Sequence, residues 1–179
     1  MGNRGCLHDE NGNIGRRRWT TKSWVCCALE FKGLKRAIMA PGAYTELFFL
    51  DEVTALAAGH RPCWECRREA YQNFMSAISA NSANEADNLL HPERILDFAD
   101  RPYAELDSLP DGAIVSPDGM EKFYLRWKGQ ILRWSFAGYE ALFEAPSEPL
   151  RLITPPTTVQ ALKEGYPIDA HQSAHSASN

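Results

Sequence analysis

The chain has 179 residues and a formal net charge of −4 at pH 7, with 44% of the residues hydrophobic and 23% charged. This composition is typical of a soluble globular protein of one domain or one and a half. It excludes a membrane-spanning chain, because no run approaches the roughly 18 apolar residues that a spanning helix requires, and the first residues lack the apolar region of a signal peptide. We therefore expect a cytoplasmic protein with no membrane partner, whose five cysteines are thiols or metal ligands rather than disulfides.

Residues 24–31 form the first predicted strand, because their side chains alternate in character. Val25, Cys27 and Phe31 share one face, and Cys26 lies on the other. The first face is the more apolar, so we expect it to point inward. Since the side chains of Cys26 and Cys27 point apart, only one of them can readily join a given metal site, and Cys27 is the preferred candidate.

The segment 46–68 is the one around which we expect the fold to be organised. Its apolar start, 46–50, predicts a short buried strand. Asp51 is placed to accept hydrogen bonds as the N-cap of a helix over the next residues, and Gly59 supplies the left-handed conformation that ends this helix.

A Cys-x-x-Cys sequence, formed by Cys63 and Cys66, follows this helix. A second helix is predicted to continue from it to about Ser79, because apolar residues recur there every three or four positions. Two cysteines in a turn before a helix are the arrangement of a zinc knuckle, since the three-residue step lets both sulfurs face one tetrahedral ion.

Three features of this segment resemble one known family. Phe48-Phe49, the helix ending in Ala55-Leu-Ala-Ala-Gly59 and the sequence Arg61-Pro-Cys-x-x-Cys-Arg67 are similar to the second half of the metal-binding domain of the Ada DNA alkylation-repair family. The resemblance, over about residues 46–68, implies a zinc ion held by thiolates and a protein that binds DNA. In that family an earlier Cys-x-x-x-Cys supplies two ligands, including the methyl-accepting thiolate, and this sequence lacks it. The zinc fold and DNA binding are therefore implied, and phosphotriester repair is not.

A structural zinc site needs four nitrogen or sulfur donors, so two more are required beside Cys63 and Cys66. We predict Cys27 and Cys6, which would complete a site of four thiolates. The alternative donors are Cys26, His8 and His60. Two competing interpretations remain: free cysteines are often small buried side chains without a metal, and His60 is also placed to hydrogen-bond a backbone carbonyl as a turn histidine.

Positive charge is concentrated at the front of the chain. Residues 1–75 carry 11 Lys/Arg against 8 Asp/Glu, net +3, whereas residues 76–179 carry 8 against 15, net −7. Basic side chains next to tryptophans can neutralise phosphates and stack on bases, so we predict DNA or RNA as a partner of this face. The predicted contact residues are Arg16, Arg17, Arg18, Trp19, Lys32, Lys35, Arg36 and Arg67. The alternative is a solvated basic surface whose aromatic side chains belong to the core.

The remaining chain predicts an α+β fold in which a zinc-knuckle module packs against a C-terminal antiparallel meander. Apolar residues recur with a period of two after Leu109, as in a meander of short strands. Predicted strands cover residues 113–115, 122–127, 130–135 and 151–154. The predicted organisation is a zinc module at 1–79, a linker with a short helix at 80–108, the meander and a final helix at 109–168, and a disordered tail at 169–179.

Three functions are compatible with these patterns. The leading hypothesis is a protein with a structural zinc ion that binds nucleic acid through the basic front. The second is a metal-dependent nuclease or other hydrolase, which would need an ion with an open position near His60, His8 or Asp51. The third is a protein-interaction module that binds no nucleic acid.

Overall fold

A computed structural model of the chain describes residues 1–33, 37–142 and 144–177. The fold is of the predicted α+β class. The helices are α1 Glu52–Ala57, α2 Arg68–Ala77, α3 Ala83–Arg94, α4 Pro156–Lys163 and α5 Gln172–Ala177, with 3-10 turns at Phe98–Asp100 and Leu106–Ser108. The strands are β1 Gly2–Asn3, β2 Val25–Cys26, β3 Arg61–Pro62, β4 Ile114–Pro117, β5 Phe123–Trp127, β6 Gln130–Ser135, β7 Gly138–Ala141 and β8 Leu150–Leu152. Within the described residues, no helix has the length and apolar character needed to cross a bilayer.

Strands β4 to β8 form one antiparallel sheet in the order β7-β6-β5-β4-β8. This confirms the predicted meander, to which the structure adds β7. Its residues 138–141 escaped prediction because they are short and only their first half is buried.

Helix α1 lies between this sheet and the other helices. Its Val53 packs in one core cluster with Leu125 and Leu132 of the sheet, whereas Leu56 packs in another with Phe74 of α2 and Leu90 of α3. The predicted cap is confirmed, because Asp51 accepts hydrogen bonds from both the N–H and the hydroxyl of Thr54 at 2.8 and 2.7 Å.

The N-terminal part of the chain forms a second, smaller sheet in the order β1-β2-β3. Strand β2 is antiparallel to β1 and parallel to β3. The predicted strand over 24–31 is reduced to β2. Its predicted inward face is wrong, since Cys26 is buried and Cys27 is only half-buried. No strand forms over 46–50 either, because Leu47 pairs with Gly2 in a single bridge and Phe48 is exposed.

Two segments are more helical than predicted, the linker with its short helix at 80–108 and the disordered tail at 169–179. Helix α3 begins inside the predicted linker because Ser82 caps it by accepting from the N–H of Glu85 at 3.2 Å, and Leu90 is then fully buried. Helix α5 occupies the predicted disordered tail, where Ala174 is fully buried and Ser173 accepts from the N–H of Tyr139 at 2.8 Å.

Candidate metal centre and basic face

Three of the predicted ligands meet in space: the sulfur atoms of Cys27, Cys63 and Cys66 all lie within 4.8 Å of one another. The parallel pairing of β2 and β3 explains why, because Cys26 lies opposite Pro62 and the next residue of each strand therefore leaves the sheet beside the other. The N–H of Cys63 donates to the carbonyl of Cys26 at 3.0 Å. The turn that leads into α2 then returns Cys66 to the same place.

The thiols of Cys27 and Cys63 share a hydrogen bond that shifts the pKa values of both. The pKa of Cys63 is lowered, chiefly because the Cys27 thiol donates to its thiolate and, against the opposing effect of burial, because the N–H groups of Cys66 and Glu65 point at it. The pKa of Cys27 is raised by that same hydrogen bond and then by burial. Ala28 also donates its N–H to the Cys66 sulfur at 3.3 Å. Sulfurs that already attract N–H donors are suited to become thiolates on a cation.

The geometry of the cluster fits a metal ion. A tetrahedral ion with metal–sulfur bonds of about 2.3 Å holds its sulfurs about 3.8 Å apart, so the observed spacing needs only small side-chain adjustments. No fourth Cys, His, Asp or Glu of the described residues shares this cluster. The three cysteines would thus hold the ion and leave one position for another donor.

Cys6, predicted as the fourth ligand, is not part of the cluster. Its thiol donates to the carbonyl of His8 at 3.5 Å, within the N-terminal loop. The prediction failed because sequence distance gave no information about where this loop packs. Cys26 is also separate, since its side chain is buried on the opposite face of β2 and its sulfur accepts from Arg67 at 3.6 Å.

Neither candidate histidine joins the metal cluster. His8 is buried, with its Nδ1 2.6 Å from the hydroxyl of Thr45. His60 is fully buried, its Nδ1 lies 3.3 Å from the carbonyl of Ala55, and its Nε2 accepts from Arg4 at 3.3 Å. Burial and the Arg4 charge hold the pKa of His60 well below its usual range. His60 is therefore a neutral turn histidine, which was the competing interpretation of its sequence position.

The exposed part of the predicted basic face lies at residues 16–19 and at Lys32. Arg16, Arg17 and Arg18 are exposed, and Trp19 is 37% exposed with its ring edge on His91 at a centroid distance of 4.6 Å. Lys35 and Arg36 lie outside the described residues.

Arg67 does not belong to this face. It forms a half-buried ion pair with Glu52 at 2.6 Å, and this pair fixes the start of α2 against α1. The prediction assigned Arg67 to the basic face from its positive charge. The sequence alone did not show that this charge is paired with Glu52.

Three arginines that sequence reasoning missed extend the positive charge inward from Arg18. Arg4, Arg94 and Arg101 line with it a cavity of about 180 Å³, whose wall includes Trp19 and Trp24. We call this the arginine cavity. Its arginines come from the N-terminal loop, from α3 and from the segment after it, so no local motif connects them in the sequence.

Two arginines of the cavity lie against the ring of Trp24. The guanidinium carbons of Arg4 and Arg94 lie 4.1 and 4.5 Å from the centre of its ring. Burial, together with repulsion from Arg94 and Arg18, lowers the pKa of Arg4 to about 10. Burial also lowers the pKa of Arg94 to about 10, against the attraction of Asp87. The cavity is therefore a region of concentrated positive charge.

Comparison of the chain with models of protein families, with curated proteins and with solved structures finds no match. The functional assignment accordingly rests on the thiol cluster and on the distribution of charge.

Proposed function

We propose that this chain is a zinc-binding protein in which a structural zinc ion on Cys27, Cys63 and Cys66 stabilises a front module that binds nucleic acid, with DNA as the favoured partner. The observation that carries the proposal is the convergence of these three thiols from separate segments. The resemblance of residues 46–68 to the Ada metal-binding domain agrees with this proposal.

Zinc suits the site for two reasons. Thiolates are soft ligands, and among the common divalent ions they favour zinc. The front sheet also needs reinforcement, because β1, β2 and β3 each contain only two residues. Backbone pairing of this length contributes little by itself, so an ion that joins the ends of β2 and β3 would supply much of the folding free energy of the module.

Nucleic acid is favoured as the partner by the charge of the exposed front. Arg16, Arg17, Arg18 and Lys32 are exposed and Trp19 is partly exposed, which together provide phosphate contacts and an aromatic ring for stacking. The described ion pairs leave most of these charges unneutralised, since only Arg18 has a carboxylate partner, Asp97 at 3.6 Å.

Elemental analysis of the purified chain tests the metal. We expect about one zinc per chain, lost in Cys63→Ser and retained in Cys6→Ser, since Cys6 is a free thiol outside the cluster. Carefully purified wild type without zinc, or equal zinc in both variants, would refute the metal assignment.

Fluorescence anisotropy with labelled duplex DNA across a salt series tests the partner. Affinity should fall steeply as salt rises. Combining Arg16→Ala with Arg17→Ala should reduce the slope of log K against log salt by about 0.9 for each phosphate that these arginines neutralise in the wild type. Lys122→Ala, an exposed charge on the hairpin between β4 and β5, serves as the control. No binding at low salt would refute nucleic-acid recognition and leave the metal assignment untouched.

A further inference from the structure

The arginine cavity adjoins a second cavity of different chemistry. The second one, of about 140 Å³, is lined by apolar and aromatic side chains, among them Ile114, Phe123 and Trp134 of the large sheet. We call it the aromatic cavity. Ala57, Ala58 and Ile153 belong to the walls of both cavities, so the two meet at the end of α1. The two cavities are thus neighbours, separated by no more than these shared residues.

The positive charge of the arginine cavity is only partly neutralised by the protein. The Asp87 carboxylate forms an ion pair with Arg94 at 3.5 Å and a shorter one with Arg61 at 2.7 Å, so it is shared between the two arginines. Arg4 and Arg101 take part in no ion pair among the described residues. Arg4 donates to the carbonyl of Ala58 at 2.8 Å, and Arg101 donates to that of Ile153 at 2.6 Å.

One buried donor of the arginine cavity is unused. Arg94 is 5% exposed, and its Nε has no hydrogen-bond partner among the described residues. Buried polar groups are nearly always hydrogen-bonded, so the unpaired Nε shows that the protein itself does not fully satisfy the Arg94 guanidinium. The acceptor that suits several converging guanidinium groups is a phosphate, because its oxygens accept two parallel N–H bonds from arginine.

The aromatic cavity has the features of a base-stacking site. The rings of Phe123 and Trp134 lie 5.7 Å apart, and Phe136, which is 92% exposed, lies 4.9 Å from Trp134. The accessible lining of the cavity is apolar, which suits the flat face of a nucleobase.

We propose that the two cavities together bind one nucleoside phosphate unit, with the phosphate among Arg4, Arg94 and Arg101 and the base against Trp134. Together their volumes fall near the lower end of the range of about 300–1,000 Å³ found for ligand pockets, which suits one nucleotide and no more. The unit comes either from a free nucleotide or from the phosphorylated end of a strand. The second source rests on the proposed function, whereas the first does not require it.

Calorimetric titration of the zinc-loaded chain with 5′-AMP and with inorganic phosphate tests the site. Each should bind, and AMP should bind more tightly because it fills both cavities. Arg4→Gln and Arg101→Gln should each weaken both ligands about tenfold or more, since each removes a charge-assisted hydrogen bond. Trp134→Ala should weaken AMP and leave phosphate unchanged. Arg133→Gln is the control, because Arg133 is on the same strand and points to the opposite face of the sheet.

Anisotropy with single strands of one sequence, carrying a 5′-phosphate, a 3′-phosphate or neither, identifies the source. About tenfold tighter binding of one phosphorylated strand, competed by AMP, assigns the site to strand ends. Binding of AMP but of no strand assigns it to free nucleotides, while the duplex titrations across the salt series decide the proposed function separately. Equal binding of all three strands, with no competition by AMP and no AMP binding in the calorimeter, overturns the inference and leaves the proposed function standing. The wild-type titrations decide the matter even where a variant fails to fold.

Discussion

Replacing Asp87 by Asn should be among the most damaging single changes in this protein. The Asp87 carboxylate is buried on α3 and accepts from Arg61 at 3.1 and 2.7 Å, while Arg94 approaches it to 3.5 Å. The three side chains are at most 7% exposed. In the variant, two guanidinium groups stay buried without a counter-charge.

The magnitude follows from that burial. Removing one partner of a buried ion pair typically costs about 3–5 kcal/mol, because the remaining charge is left uncompensated. With a urea m-value of about 2 kcal/mol/M, the midpoint of unfolding should fall by about 2 M. This would be a large share of a total stability of about 5–15 kcal/mol.

Urea unfolding followed by circular dichroism, with zinc in excess throughout, measures the effect. Asp97→Asn is the matched control, because Asp97 is paired with Arg18 at 3.6 Å but its side chain is 79% exposed, so its loss should change stability by no more than about 0.5 kcal/mol. If Asp87→Asn costs no more than this control, the account of Asp87 as the buried counter-ion of two arginines is wrong.

Three further predictions concern single positions. Gly59→Ala should destabilise the protein by more than about 1 kcal/mol and weaken ligand binding at Arg94, because Gly59 has φ +82° and an added Cβ would lie 2.6 Å from the Cβ of Arg94; thermal unfolding measures this, and a neutral effect would contradict it. Ser82→Ala should cost about 1 kcal/mol through loss of the α3 cap, while Ser108→Ala, an exposed serine of a 3-10 turn, should cost less. Because the pKa of His60 is lowered by burial, the unfolded chain binds the proton more readily; His60 stabilisation is therefore complete above about pH 6.5 and falls by up to about 1.4 kcal/mol per pH unit below it. Urea titrations from pH 7 to 5 should show a smaller loss in His60→Gln than in wild type, and equal losses would disprove this role.

The elements that could be predicted from the sequence are those whose signals are local. The cap at Asp51 and the end of α1 at Gly59 depend on neighbouring residues, and the period of two in residues 122–135 directly reports alternating burial. Helix α3 carried a similar signal in Ser82 and Glu85, which is the spacing of a capping box, but the small polar residues around it suggested a linker.

The features that could not be predicted depend on contacts between distant segments. Cys27 was chosen as a ligand because it was expected to point inward, whereas it reaches the cluster through the parallel pairing of β2 with β3. A strand of two residues has too little alternation to define its faces. The arginine cavity combines Arg4 with Arg94 and Arg101, and no spacing rule connects residues so far apart in the chain.

Strand β3 makes the two proposed sites interdependent. Arg61 of β3 connects Trp24 with Asp87, because its backbone N–H donates to the Trp24 carbonyl at 3.0 Å and its guanidinium donates to the Asp87 carboxylate. Cys63 follows Arg61 two positions later in the chain. An ion that orders this strand would therefore also order the Trp24 ring and the Asp87 carboxylate, both of which contact Arg94. By thermodynamic reciprocity, a nucleotide that prefers the ordered arrangement must raise the affinity for zinc by the same factor by which zinc raises the affinity for the nucleotide. The protein would then act as a conditional binder, whose affinity for one ligand depends on the supply of the other.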